Sequence, residues 1–209
     1  MTSRRRARAA LAFCVVVASA MPARAQAPVV IDAIVARVNG RVILASDVRA
    51  AEVLPHGLAS TRLTNPIDAM VDRTLMLEDV ERASPATPPG DAVEARRREL
   101  EAAVGAAALG RLASRDGMTP ARLQAWVRDD LRMDAYVAQR FTAAAQPTDE
   151  EVAAYFAANA ARFARPGEEA GEAATDRARA ALVDQRRQAL IAAWLDGLRR
   201  RADIVMAPR

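Results

Sequence analysis

Thiols, imidazoles and long apolar runs are nearly missing from this chain. Its single cysteine is Cys14 and its single histidine is His56. If the first 27 residues are removed, no thiol remains for a disulfide, a thiolate metal site or a cysteine nucleophile. One histidine with no second imidazole leaves little for a zinc site or a histidine-based catalytic pair, so His56, in LPHGL, is expected to be a solvated loop residue. Aromatic residues make up 4% of the chain. No stretch approaches the roughly 18 consecutive apolar residues that span a bilayer, so no stable membrane span is expected.

The longest apolar run, Ala9 to Ala20, follows Arg4, Arg5, Arg6 and Arg8 and precedes the small-residue patterns Ala23-Arg24-Ala25 and Ala25-Gln26-Ala27. That order is the signature of a secretory signal peptide covering residues 1–27, removed on export. A lipoprotein signal is disfavoured by the bulky Phe13 before Cys14. The formal charge of +4 depends on this segment, since five of the 30 basic residues precede Gln26 and 25 then face 26 acids. A basic surface able to neutralise nucleic-acid phosphates is therefore not expected, and no nucleic-acid partner is assigned. With 52% hydrophobic residues the remainder has ample material for a core.

Residues 29–45, VVIDAIVARVNGRVILA, hold two β-branched runs around Asn39-Gly40, a dipeptide suited to the positive φ angles of a tight hairpin turn. Val35 with Leu44, and Ala36 with Ile43, are the expected cross-strand pairs. A lone hairpin is marginal in water, and the only other strand-like run is 202-ADIVMA-207, so Ile204 to Met206 is expected to join it.

The intervening sequence reads as helices. Ser46 and Asp47 open a short one to about residue 53, and Asn65-Pro66 caps a second bearing Ile67, Met70, Val71 and Leu75 at helical spacing. SPATPPG at 84–90 ends it. Further helices are expected over 91–104, 106–114, 120–141 after Thr119-Pro120, 148–163 after the Thr148/Glu151 capping box, and 175–201. The fold class is thus mostly α: an interlocked helical domain with a small antiparallel sheet made by the N-terminal hairpin and the C-terminal strand.

The segments IVARVNGRVILASDV, IDAMVDRTLMLEDV, GMTPARLQAWVRDDLRMDAYVAQRF and PTDEEVAAYFAANAARF resemble, in order, the N-terminal domain of the SurA-like periplasmic chaperones, relatives of the PpiD and PrsA foldases. The closing segment ALVDQRRQALIAAWLDGLRRRADIVM looks like the final helix and strand that complete that domain. The resemblance implies residues 28–163 as the helical chaperone domain and 175–209 as its closing helix and strand. It also implies that 164–174 is a short linker where relatives insert a parvulin-type prolyl isomerase domain. A parvulin site is built around histidines, which this interval lacks.

The expected function is that of a periplasmic, ATP-independent chaperone holding unfolded or newly exported proteins, outer-membrane proteins among them, through apolar contacts and without a cofactor or metal. A scaffold binding one dedicated partner is the alternative, and prolyl isomerase activity the less favoured one, so no enzyme activity is assigned. The helix at 120–141 carries an apolar arc wider than one buried stripe: Leu123, Val127 and Leu131 on one line, Trp126, Met133, Val137 and Phe141 beside it, then Tyr136. Such an arc fits a helix packed on two sides. Alternatively, part of it, with methionines that repack around varied partners, lines an open groove; the client-binding candidates are then Met70, Met76, Trp126, Met133, Tyr136, Phe141 and Trp194. Asp129 with Asp130, and Glu168 with Glu169, are expected to be solubilising surface acids. Arg96–Arg98 and Arg199–Arg201 are expected to be solvated faces, with anionic lipid as their other use.

Overall fold

The computed structural model describes residues 32–54, 65–83, 86–163 and 171–208. The segment 1–27 expected to be a signal peptide, His56, Glu168 and Glu169 lie outside these residues.

Strands β1 (Ile34–Val38) and β2 (Arg41–Leu44) form the expected hairpin, turned by Asn39 at φ 48 and Gly40 at φ 86. Both angles lie in the left-handed region that Asn and Gly tolerate best, and a two-residue turn of this kind matches the strand twist. Ala36 pairs with Ile43 as expected, but Leu44 pairs with Ile34 and not Val35, because the register shifts between Ile34 and Ala36. Strand β3 (Ile204–Met206) lies antiparallel on the other side of β1, so the sheet order is β2-β1-β3 and the chain's C-terminal strand completes its N-terminal hairpin.

Helix α1 (Ala45–Val53) continues directly from β2. Its first turn is capped from within: Asp47 Oδ2 accepts from Leu44 N–H at 3.0 Å, while Ser46 is buried. Helix α2 (Pro66–Ala83) starts where Asn65 Oδ1 accepts from Ile67 N–H at 3.0 Å, with Pro66 at the position whose missing donor costs nothing. Helices α3 (Gly90–Val104) and α4 (Ala106–Asp116) follow. Gly117, at φ 63, ends α4 in the left-handed conformation, and Met118 N–H closes the turn onto Leu112 O at 3.1 Å.

Thr119 caps α5 (Pro120–Phe141), accepting from Arg122 N–H at 3.2 Å, and the Thr148/Glu151 capping box opens α6 (Asp149–Ala158). The helix expected to run on to Phe163 is interrupted at Asn159, whose N–H bonds back to Phe156 O and whose carbonyl starts a short α7 (Ala160–Phe163). Helix α8 (Glu172–Arg201) begins within the stretch expected to be linker, so residues 172–174 are helical.

Length gives α8 two jobs, because 30 residues at 1.5 Å each span about 45 Å. Its first half buries Ala174, Ala178 and Leu182 against α6 and α7, with Val152 and Phe163 opposite. Its second half buries Ile191, Trp194, Leu195 and Leu198 against α2 and α5, in the core that the sheet also covers through Ala36, Val38 and Ile43. Two buried ion pairs fix this core. Arg73, itself buried on α2, pairs with Asp130 on α5, donates to Trp126 O at 3.1 Å and stacks 3.8 Å from the Trp126 ring centroid. Arg199 on α8 reaches buried Asp72 on α2 at 2.5 Å and Asp68 O at 3.1 Å. Burial works against the Arg199 charge, but its bonds to Asp72 and Asp68 prevail and hold its pKa above the ordinary value.

Candidate functional site

The wide apolar arc of α5 is closed. Helices α2, α3 and α8 all pack on α5, so the arc is broad because three neighbours share it. The seven residues expected to line an open groove, Met70, Met76, Trp126, Met133, Tyr136, Phe141 and Trp194, are all core residues, from 1% to 8% exposed. The groove expectation is corrected accordingly.

Three of those residues form one aromatic cluster. The Trp194 ring lies 5.6 Å from Tyr136 and 5.7 Å from Phe141. Their polar tips converge on Asp79 of α2, which accepts from Trp194 Nε1 at 3.0 Å and from Tyr136 Oη at 2.9 Å. Burial and the bond to Asp79 push the Tyr136 phenol pKa up, so the group stays a neutral donor. Arg140 closes the set by donating to Tyr136 Oη at 2.6 Å. This cluster joins α2, α5 and α8.

Clefts in the described structure are small and walled by committed charges. One, of about 760 Å³, lies where the hairpin turn meets the ends of α2 and α8, over Leu75 and Leu198. Glu78 on its rim accepts from Asn39 Nδ2 at 2.6 Å, and Arg41 bridges Glu78 and Glu81. These acids therefore pin the hairpin to α2. Asp129, Asp130 and Asp134 on α5 are not simply solvated, as burial lifts all three above the usual carboxylate range despite nearby arginines. Among the described residues no group of three His, Cys, Asp or Glu side chains is placed to hold a metal, and no helix is long and apolar enough to cross a membrane. Of the arginine runs, Arg97 is enclosed by Glu94 and Glu101, and Arg199 by Asp68 and Asp72.

What the fold leaves uncovered lies mainly on its sheet. Among the described residues five large apolar ones are exposed, Ile34, Val42, Val53, Val205 and Met206, and four of these belong to the three strands. The register explains the arrangement. Arg37 at the centre of β1 faces Val42 of β2 on one side and Val205 of β3 on the other, so the three form one row across the outward face. The alternate row, Ala36 with Ile43 and Met206, and Val38 with Ile204, turns toward the helices, with Met206 left exposed at its end. Two exposed valines thus flank Arg37 on a face whose side chains gain nothing from the core.

Of the two readings of the α5 arc, the helix packed between neighbours holds and the open groove does not, and the exposed apolar residues of the strands were not singled out. A signal was present in the strands: the hairpin is apolar at consecutive positions, so one face had to remain outside whichever face entered the core. No protein-family model and no curated protein matches the chain.

Proposed function

We propose that this domain is an exported, ATP-independent holding chaperone that shields apolar segments of unfolded or newly exported proteins in the periplasm. The reading starts from the ordered segments resembling SurA-like chaperones, and one observation supports it further: the exposed Val42 and Val205 on either side of Arg37, on a sheet whose two outer strands pair with no further strand among the described residues. Contact there is shallow and multiple, which favours weak binding that releases the client to a better partner. Holding then works by mass action: a binder that prefers the unfolded chain lowers its free concentration, and aggregation slows. Outer-membrane proteins, whose strands are apolar on alternate positions, are suited to such a surface.

The test is aggregation of several unrelated unfolded proteins, followed by light scattering without nucleotide, with the purified chain added at increasing ratio. Dose-dependent suppression for most of them is expected. Suppression of none, or one tight complex with a single protein, would replace the holding reading with that of a dedicated scaffold.

A further inference from the structure

We propose that the outer edge of β3, which no other strand among the described residues occupies, takes an extended segment of the client as a fourth strand, and that this segment is apolar in its middle and acidic at its ends. This rests on the holding reading and names how the client is held.

Backbone geometry selects β3 over β2. Asn39 N–H donates to Asp203 O at 2.8 Å and Ala207 N–H to Val35 O at 2.9 Å, so positions 203, 205 and 207 direct their backbone groups at β1. In an antiparallel ladder the intervening residues, Ile204 and Met206, then direct theirs away from the sheet. By the same alternation β2 directs Val42 and Leu44 outward, but Leu44 N–H is already taken by Asp47 and the strand runs straight into α1. The β2 edge is thus blunted from within, while the β3 edge is not. Natural edges are guarded by charge, bulges or proline, and Ile204, Val205 and Met206 carry none of these within the strand. Val205 and Met206 are 54% and 51% exposed, so an added strand would find apolar side chains beside its backbone partners.

Size and charge identify the occupant. A three-residue edge offers far less than the roughly 1,200 Å² at which stable folded partners begin to associate, so a second copy paired only here would not persist. An unfolded chain gains the same ladder bonds and remains free to make contacts elsewhere, as in strand addition to other sheet edges. Arg37, opposite Val205 on β1, and Arg200 and Arg201, at the end of α8 just before β3, are exposed, and none pairs with a carboxylate among the described residues. Asp203 is the one acid in residues 200–208. The flank is therefore positive, and an acidic end on the incoming segment meets it.

Two synthetic peptides of alternating valine and threonine, one ended by glutamates and the other by lysines, test this by titration into the isotopically labelled chain. The glutamate-ended peptide is expected to shift and protect the Ile204 and Met206 amides more than that of Val205, and to bind about tenfold more tightly at low salt than the lysine-ended one. Met206→Pro removes only an outward donor, leaving the Val205 and Ala207 donors to β1, and should weaken binding about tenfold. Its thermal midpoint reports whether the fold survives, and the paired reversal of Arg200→Glu with Arg201→Glu, on exposed positions, should invert the peptide preference.

Unperturbed 204 and 206 amides, unchanged affinity in folded Met206→Pro, or an unreversed preference would each overturn the proposal. So would concentration-dependent self-association abolished by Met206→Pro, which would make a second copy the occupant. If the parent chain suppresses aggregation and folded Met206→Pro does so equally well, holding stands and strand addition falls. If the parent chain suppresses nothing, the holding reading fails first.

Discussion

Asn39 and Asp203, 164 residues apart, hold each other twice: Asn39 N–H donates to Asp203 O at 2.8 Å, and Asp203 N–H donates to Asn39 Oδ1 at 2.9 Å. A third bond from Asn39 Nδ2 reaches Glu78 on α2 at 2.6 Å. One turn residue therefore ties hairpin, closing strand and helix together. Asn39→Gly keeps the positive φ but loses the side-chain bonds, and should cost about 1–2 kcal/mol. Asn39→Ala loses the bonds and also strains the turn, adding about 1 kcal/mol. Chemical denaturation should rank the parent chain above the glycine variant and the glycine variant above the alanine variant; equal stabilities would remove the side chain from this role.

Removing residues 202–209 takes away β3 and leaves β1 without one of its two neighbours. Ala36 and Val38, fully buried in the intact sheet, lose the pairing that Met206 and Ile204 supply. The thermal midpoint should fall by about 10 °C, the shift that roughly 3 kcal/mol produces in a domain of this size. A truncated chain with the parent midpoint would show that the hairpin is held by α2 alone.

Arg199 is the bond by which α8 grips α2, and its partner Asp72 is buried. Arg199→Met keeps much of the packing but removes the arginine paired with a buried carboxylate, and should cost about 2–3 kcal/mol. Combining it with Asp72→Leu removes the buried charge as well, so the double variant should lose about 1–2 kcal/mol less than the sum of the single losses. Strict additivity in a double-mutant cycle would mean that the two side chains do not act as a pair.

These contacts mark what one sequence discloses and what it withholds. Asn39-Gly40, Asn65-Pro66, Thr119-Pro120 and Thr148 with Glu151 are local devices, since each satisfies backbone groups within a few residues, and the structure uses all four in those roles. The closing strand was legible because a lone hairpin requires a third strand and the chain offers one. Asn159 was not: Tyr155, Phe156 and Phe163 remain near one another on either side of the break, at 5.9 and 6.3 Å between ring centroids, so the apolar pattern runs through it. The α5 arc was open to two readings for a different reason. Width of an apolar face counts neighbours without saying whether they are helices of the same chain or an unfolded client, and here α2, α3 and α8 supply them.

Phe141 and Trp194 separate those two meanings experimentally. Phe141→Ala empties a buried site beside the Trp194 ring and should cost about 3–4 kcal/mol. Trp194→Phe removes the indole donor to Asp79 and should cost about 1 kcal/mol. Neither should change aggregation suppression per folded molecule at a temperature where both variants remain folded. A loss of suppression in a fully folded Trp194→Phe variant would return the aromatic cluster to the client surface.

Acid should act unequally on the two ends of α8. Glu151 on α6 is held down to about 2 by the Arg186 side chain on α8 and then by the Thr148 backbone N–H. Because its folded pKa lies below the ordinary value of 4.5, the stability it supplies is complete above that pH and is lost as pH falls toward 2. Asp129, Asp130 and Asp134 on α5 have the opposite sign: burial raises their folded pKa, so the folded core binds protons more readily than the unfolded chain, and protonation there relieves a desolvation cost. Lowering the pH from neutral should therefore loosen α6 and the first half of α8 before the α2–α5–α8 core. Amide exchange, mapped by segment after acid exposure, should show protection failing first over residues 149–158 and 172–186. Glu151→Gln should remove most of that pH dependence while weakening the same segment at neutral pH; simultaneous loss across core and arm would show that these carboxylates do not set the acid response.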